Sequence, residues 1–326
     1  MRRYVIGLDM GGTNIRCAAV VPDGRIVMLR RGPSRADSDA EAVALNIANQ
    51  VSALEDAARR RGMGAPRAIG IAVPGPLNVH TGTVMAAPHV ASWRAFPLRD
   101  RLEAMLNRRI VVENDANAWA LGEFWRGAAR NHRNVVLLTL GTGVGGGLIV
   151  DGAIVHGRSG MAAELGHIVV EPDGIPCDCG SRGCLESYAS SSGMRRMIER
   201  RIGSGSIPAR YLDDSGNFSV RGLTAAARKR DQIAIATLET AGRYLGIAIA
   251  SFMNIFNPDL VVIGGGVAGA LGFMRRAMVV EVKRRAFAAI AAEARIVRAA
   301  LGPIGGVVGA AYAAMHPPRR QNASPL

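Results

Sequence analysis

The chain has 326 residues, 49% of them hydrophobic and 20% charged, with 40 glycines and a formal net charge of +14. That length suits one large domain or two ordinary ones. No apolar run reads as a membrane span, and the start, MRRYVIGLDMGG, lacks the long apolar segment of a secretion signal, so a cytoplasmic protein with no membrane partner is expected.

Arginine supplies nearly all the positive charge, lysine occurring only at Lys229 and Lys283. The arginines are scattered, with no basic helix interleaved with aromatics, and read as solvated helix faces; no nucleic-acid partner is expected. A polyanionic substrate such as polyphosphate stays compatible with the charge.

Residues 4–31 alternate apolar runs with turn signals: a strand, a tight Gly11-Gly12 turn, a second strand, an Asp23-Gly24 hairpin turn and a third strand. Residues 39–61 have helical periodicity and stop near Gly62. RAIGIAVPG is a buried strand leading into a proline–glycine loop. RIVVEN is another, with DANAWALGEFWRG opening a helix directly behind it.

The stretch 139–155, TLGTGVGGGLIVDGAIV, contains G-x-G-x-x-G at Gly141, Gly143 and Gly146. A dinucleotide fingerprint needs those glycines to open a helix. Here they open the strand LIV, which turns back at Asp151-Gly152. The pattern instead repeats that of residues 9–27, so the chain is read as an internal duplication with two facing lobes, each carrying a Gly/Thr turn whose N–H groups can grip a polyphosphate. A further Gly264, Gly266, Gly269 set follows the strand DLVVI and suits an adenosine pocket. No G-x-x-x-x-G-K-[ST] occurs, which excludes a Walker-type ATPase. The chain closes with the helix GPIGGVVGAAYAAM and a polar tail expected to be disordered.

His167, Cys177, Cys179 and Cys184 form H-x9-C-x-C-x4-C. Three thiolates and one imidazole make a closed tetrahedral zinc set, structural in kind, and a cytoplasmic chain disfavours the alternative of a disulfide. Asp115, at the end of RIVVEN, reads equally as a helix N-cap and as a general base for phosphoryl transfer. Asp9, ending a buried strand, reads as a Mg²⁺ holder or as a cap on its own glycine turn. Glu164 and Glu186 flank the cysteine loop, which with His167 could aim them at neighbouring sugar hydroxyls; a surface salt bridge is the default for either alone.

Together, LDMGGTNIR, VENDAN, LGTGVGGGLIVDG, ELGH with CDCGSRGCLE, and NPDLVVIGGGV resemble the ROK family (repressors, open reading frames and sugar kinases) over nearly the whole chain. The resemblance implies an α/β, actin/hexokinase-like (ribonuclease H-like) duplicated two-lobe ATPase fold with an interlobe cleft. It implies lobes at 1–117, joined by a C-terminal helix at about 303–316, and at 118–302 with the zinc loop 167–184, then a tail at 317–326. It implies ATP with Mg²⁺ as cofactor beside structural Zn²⁺, and Asp115 as base. Sugar contacts would come from Gly75, Asn78, Asn114, Asp115, Glu164, His167 and Glu186. Nucleotide contacts would come from Asp9, Gly11, Gly12, Thr13, Asn14, Gly141, Thr142, Gly143, Gly264, Gly265 and Gly266.

The activity so implied is phosphorylation of a hexose, glucose foremost, with N-acetylmannosamine, N-acetylglucosamine, fructose, mannose and allose as alternatives and a homodimer or homotetramer as the assembly. Discrimination at the sugar 2-position is expected from the loop 76–94. A sugar-responsive regulator without turnover is the reading from another class. The family's repressors carry a DNA-binding domain ahead of the first phosphate motif; here that motif begins at Asp9, so the kinase branch is expected.

Overall fold

The computed structural model describes residues 3–87, 90, 92–203 and 206–318. The first lobe holds β1 (Val5–Met10), β2 (Asn14–Val20), β3 (Ile26–Pro33), α1 (Ala40–Arg60) and β4 (Ile69–Val73). There follow a small sheet of β5 (Leu77–Asn78), β6 (Thr83–Ala86) and β7 (Arg94–Phe96), then α2 (Leu98–Leu106) and β8 (Ile110–Asn114). Helix α3 (Asp115–Arg126) leads into the second lobe: β9 (Val135–Leu140), β10 (Val144–Val150), β11 (Ala153–Ile154), α4 (Glu186–Ala189), α5 (Ser191–Ile202), α6 (Val220–Arg228), α7 (Gln232–Phe256), β12 (Leu260–Gly264), α8 (Leu271–Arg285), α9 (Ala288–Glu293) and β13 (Arg295–Arg298). The chain returns through α10 (Gly305–Met315).

The two five-stranded sheets have the same topology, β3-β2-β1-β4-β8 and β11-β10-β9-β12-β13. In each, an antiparallel meander of three strands continues into two strands added in parallel. The duplication read from the two glycine turns is thus a duplication of whole sheets. Strands β1, β4, β9 and β12 lie in the sheet interiors and are apolar because both faces are covered. Helix α1 shows the local logic: Asp39 Oδ1 accepts the Ala42 N–H at 2.8 Å, Arg59 and Arg60 sit at the negative end of the helix dipole, and Val43, Ile47, Val51 and Leu54 form the buried stripe.

Glycines set how closely the layers approach. Any Cβ at Gly7 or Gly70 would strike the carbonyl oxygens of Val307 or Ala310, so α10 lies directly on β1 and β4. Gly145 and Gly147 turn the other sheet toward Ala116 and Ala120 of α3, while Gly146 faces Ala163 and Leu165. Helices α3 and α10, one on each sheet, then meet through Gly122, Gly305 and Gly309. Glu123 on α3, fully buried, ties the pair further by accepting the N–H groups of Ala128, Ala300 and Leu301. This helix pair is the joint between the lobes.

Two features differ from the sequence reading, and a third lies beyond what is described. The 76–94 segment, expected as a loop, contains most of the β5-β6-β7 sheet, whose strands of two to four residues are too short to show a period-2 pattern; its residues 88–89 and 91 lie outside the described ones. Helix α7, broken by Glu239 and Arg243, is nevertheless apolar and long enough to cross a membrane by length and composition; it packs against α8 in the second core. The expected disorder of the tail falls on residues 319–326, outside those described, and on Pro317 and Pro318.

Candidate active site

One cleft of about 370 Å³ runs between the lobes, lined by the turns at Gly11-Gly12 and Gly141–Gly143, by Gly75, Asn114 and Asp115, and by Glu164, His167 and Glu186. The two turns are built alike. Gly11 N–H bonds the Asn14 carbonyl and Gly141 N–H the Gly143 carbonyl, both at 2.9 Å. A serine then ties each turn back: Ser34 Oγ donates to Gly12 O and Ser192 Oγ to Thr142 O, both at 2.7 Å. The amides of Gly12, Thr13, Thr142 and Gly143 enter none of the described ladder or turn bonds. With the carbonyls restrained and the amides unspent, each turn can take anionic oxygens.

Between the turns, β8 runs straight into α3. Asn114 caps the helix, its Oδ1 accepting from Ala116 and Asn117 N–H at 2.9 and 3.1 Å, while Nδ2 donates to Gly75 O at 3.2 Å. Gly75 needs its φ of +92° to make that bend. The cap is therefore Asn114, and Asp115 is the first helical residue, its Oδ1 accepting its neighbour's N–H at 2.9 Å. Burial pushes the Asp115 carboxyl up to about 7, with Asp9 and Glu164 adding repulsion. A carboxylate poised near neutrality is suited to general base work.

Asp9, the penultimate residue of β1, lies beneath the first turn, against Gly306 of α10, where a side chain would collide with the carboxylate. Burial raises it to about 6, partly offset by the Arg16 guanidinium 3.6 Å away. Its own glycine turn closes without it, so a buried acid beside the first phosphate turn keeps capacity for a cation.

At the far end, His167 Nδ1 lies 3.7 Å from Cys177 Sγ, and Cys179 Sγ lies 3.7 Å from Cys184 Sγ. All four ligand atoms of His167, Cys177, Cys179 and Cys184 fall within 4.8 Å of one another. Tetrahedral zinc with Zn–S bonds of about 2.3 Å separates its thiolates by about 3.8 Å, so the set fits zinc. Arg196 of α5 donates to Asp178 at 2.8 Å, holding the C-D-C segment in place. Glu186, opening α4, accepts the Val144 N–H at 2.9 Å on Oε2 and lies 3.9 Å from Cys177 Sγ through Oε1. Glu164 follows Ala163, which takes a φ of +64°; burial raises its carboxyl, with His167 lowering and Glu186 raising it.

The remaining residues divide. Gly265, at φ +86° against the Leu140 carbonyl, lines the cleft. Gly264 packs on the Trp119 ring and Gly266 begins a 3-10 turn; neither is in the lining. Thr13 and Asn14 are exposed on the first turn. Asn78 is not in the lining: its Oδ1 accepts from His80 and Thr81 N–H at 3.1 and 3.2 Å, shaping the β5–β6 turn. Among the described residues of the 76–94 segment, only Pro76 and Leu77 reach the cleft. Sequence reasoning missed Trp119 in the cleft wall and the two serines.

A model of the ROK family matches residues 5–316. The chain belongs to the ROK family. This ROK protein is 36% identical over 319 residues to a glucokinase of Halalkalibacterium halodurans, a match covering 95% of this chain and 94% of the relative. Its fold is similar to that of a ROK hexokinase from Thermus thermophilus, at TM-score 0.80 and 31% identity, covering 96% of this chain and 98% of the other. It is similar also to a ROK family glucokinase from Streptomyces griseus in complex with glucose and AMPPNP, at TM-score 0.78 and 33% identity, covering 96% and 99%. The actin/hexokinase-like α/β fold is that of these neighbours.

Proposed function

We propose that this ROK protein is an ATP-dependent hexose kinase converting glucose to glucose 6-phosphate. The observation that carries the reading is Asp115: a carboxyl raised to about 7, at the strand–helix junction between two phosphate-type turns and a cluster of sugar-type polar groups. Similarity to proteins named glucokinase, over 95%, 82% and 81% of this chain, supports the substrate.

In this reading Glu164, Glu186, Asn114 and the Nε2 face of His167 take the sugar hydroxyls. Asp115 accepts the proton of the reacting hydroxyl as its oxygen attacks the γ-phosphorus of ATP and the bond to ADP breaks. The amides of Gly12, Thr13, Thr142 and Gly143 hold the phosphate oxygens, and closure about α3 and α10 excludes water. Asp9 would hold the Mg²⁺ of ATP, which supplies charge neutralisation at those oxygens. His167, Cys177, Cys179 and Cys184 would hold a structural zinc, which fixes the imidazole so that Nε2 faces the cleft.

The lobes are 1–117 with the helix at 303–316, and 118–302. The working state is a cytoplasmic homodimer or homotetramer. The test is ADP release from Mg-ATP by zinc-replete protein against a panel of glucose, mannose, fructose, allose and the two N-acetylated hexosamines. Turnover ranking glucose first supports the reading, and turnover on none of them overturns it.

A further inference from the structure

Glu113 sits on β8 two residues before Asp115, with its side chain 1% exposed. Its Oε1 accepts from the Asn114 N–H at 3.0 Å and from Asn117 Nδ2 at 3.1 Å, both in the first turn of α3 or its cap. Its Oε2 lies 2.7 Å from Nε2 of His156, which follows β11 in the other lobe. Burial works against an imidazolium at His156, but the hydrogen bond and charge of Glu113 outweigh it and raise the histidine's pKa. A buried carboxylate–imidazole pair is a poor stabiliser, since apolar residues of similar volume fill such a space as well. Its placement asks for another reason.

His156 begins a strap, residues 156–164, that leaves β11 and ends on Glu164. Val155 N–H bonds the Leu148 carbonyl at 2.8 Å, anchoring the near end to β10, and Ala162 N–H bonds the His156 carbonyl at 3.2 Å, closing the strap on itself. Midway, Gly160 takes a φ of +94° and presses on the first lobe, where a Cβ would stand 2.7 Å from both Leu77 O and Val79 N. Gly160, Ala162 and Glu164 all line the cleft. The strap thus belongs to the second lobe, touches the first at His156 and Gly160, and delivers a cleft carboxylate.

We infer that Glu113 and His156 are positioning residues, a bridge across the lobes that sets the strap bearing Glu164 relative to the strand–helix junction bearing Asp115. One carboxylate takes hydrogen bonds from both sides of the future reaction: from Asn114 and Asn117 beside the base, and from the strap beside the sugar. The nucleotide turns at 11–13 and 141–143 have their own ties, through Ser34 and Ser192. Loss of the bridge therefore acts on the sugar side and spares the nucleotide side. Beside the bridge lies a cavity of about 280 Å³ lined also by Tyr312 and His316 at the end of α10, which gives the imidazole room to move once released.

The inference rests on the kinase reading for its sugar, and the test separates the two. Wild type, His156→Leu, His156→Asn and His156→Gln are compared by steady-state kinetics and by calorimetric glucose binding. His156→Gln keeps an N–H donor near the Nε2 position, whereas His156→Asn is too short to reach Glu113. His156→Leu and His156→Asn should lose about 10- to 100-fold in kcat/KM for the sugar, with the KM for ATP within twofold of wild type. His156→Gln should regain most of that loss, which a merely structural role would not produce. If His156→Leu does not fold, His156→Asn against His156→Gln decides. Unchanged sugar kinetics and binding in the folded Asn variant overturn the inference, as do equal losses for sugar and ATP that Gln fails to rescue. A wild type that neither binds nor phosphorylates a hexose overturns the kinase reading itself, and the bridge's task with it.

Discussion

The Glu186 carboxylate joins two parts of the cleft: Oε2 accepts the Val144 N–H at 2.9 Å, and Oε1 stands 3.9 Å from Cys177 Sγ. Val144 is the first residue after the second phosphate-type turn, and Cys177 belongs to the candidate zinc set. The proposed metal loop is therefore in contact with the proposed nucleotide side as well as the proposed sugar side.

From this contact we predict that Cys179→Ser lowers the zinc content from one per chain and raises the KM for glucose and for ATP together, by about 10- to 100-fold in kcat/KM. Metal analysis and two-substrate kinetics check it. A zinc-free variant with ATP kinetics like wild type contradicts the coupling.

Asp115→Asn should lower kcat by about 10²- to 10⁴-fold while glucose binding survives, because the amide keeps the Oδ1 acceptor but cannot take a proton. Calorimetry and turnover on the same preparation decide this. Turnover close to wild type removes Asp115 from the chemistry.

The raised Asp115 carboxyl also makes a stability prediction. Its folded pKa of about 7 lies above the ordinary 3.8, so the protonated form favours the fold. That contribution is complete below pH 3.8 and is lost as pH rises through about 7. The ligand-free Asp115→Asn variant should accordingly melt above wild type at pH 8, by about 1–3 kcal/mol once screening at the cleft wall is allowed for. The gap should close toward pH 4, and thermal melts across that range measure it. A variant less stable than wild type at pH 8 contradicts the assignment of a strained, buried charge.

Much of the cleft was legible because its parts are local. Each glycine turn announces itself within a few residues, the Asp115 junction is a strand abutting a helix, and the zinc set spans 18 positions of one loop. The glycine run 145–147 gave the strand but not its meaning, which lies in the alternate faces turned to Ala116, Ala120 and Leu165. What escaped the sequence is what spans distance. Ser192 reaches back 50 residues to Thr142, and His156 reaches 43 to Glu113. Such pairs leave no periodicity, and neither do strands as short as β5 and β7.

The joint between the lobes gives a packing prediction. A Cβ at Gly309 would overlap the Ala118 carbonyl of α3, a backbone atom that cannot swing aside. Gly309→Ala should destabilise by about 1–3 kcal/mol or more. Gly272→Ala on α8, where nothing stands within 4 Å, should be neutral or stabilising by up to about 1 kcal/mol. Denaturant midpoints of the two variants make the comparison, and equal midpoints would show that α3 and α10 are not in the contact described.

The most direct test of the central claim is glucose-dependent ADP release from Mg-ATP, followed alongside the sugar product by phosphorus NMR. The account predicts one glucose 6-phosphate formed per ADP, with ATP left intact when sugar is absent and turnover abolished in Asp115→Asn. No glucose 6-phosphate from zinc-replete wild type, or equal ATP hydrolysis with and without sugar, would contradict it.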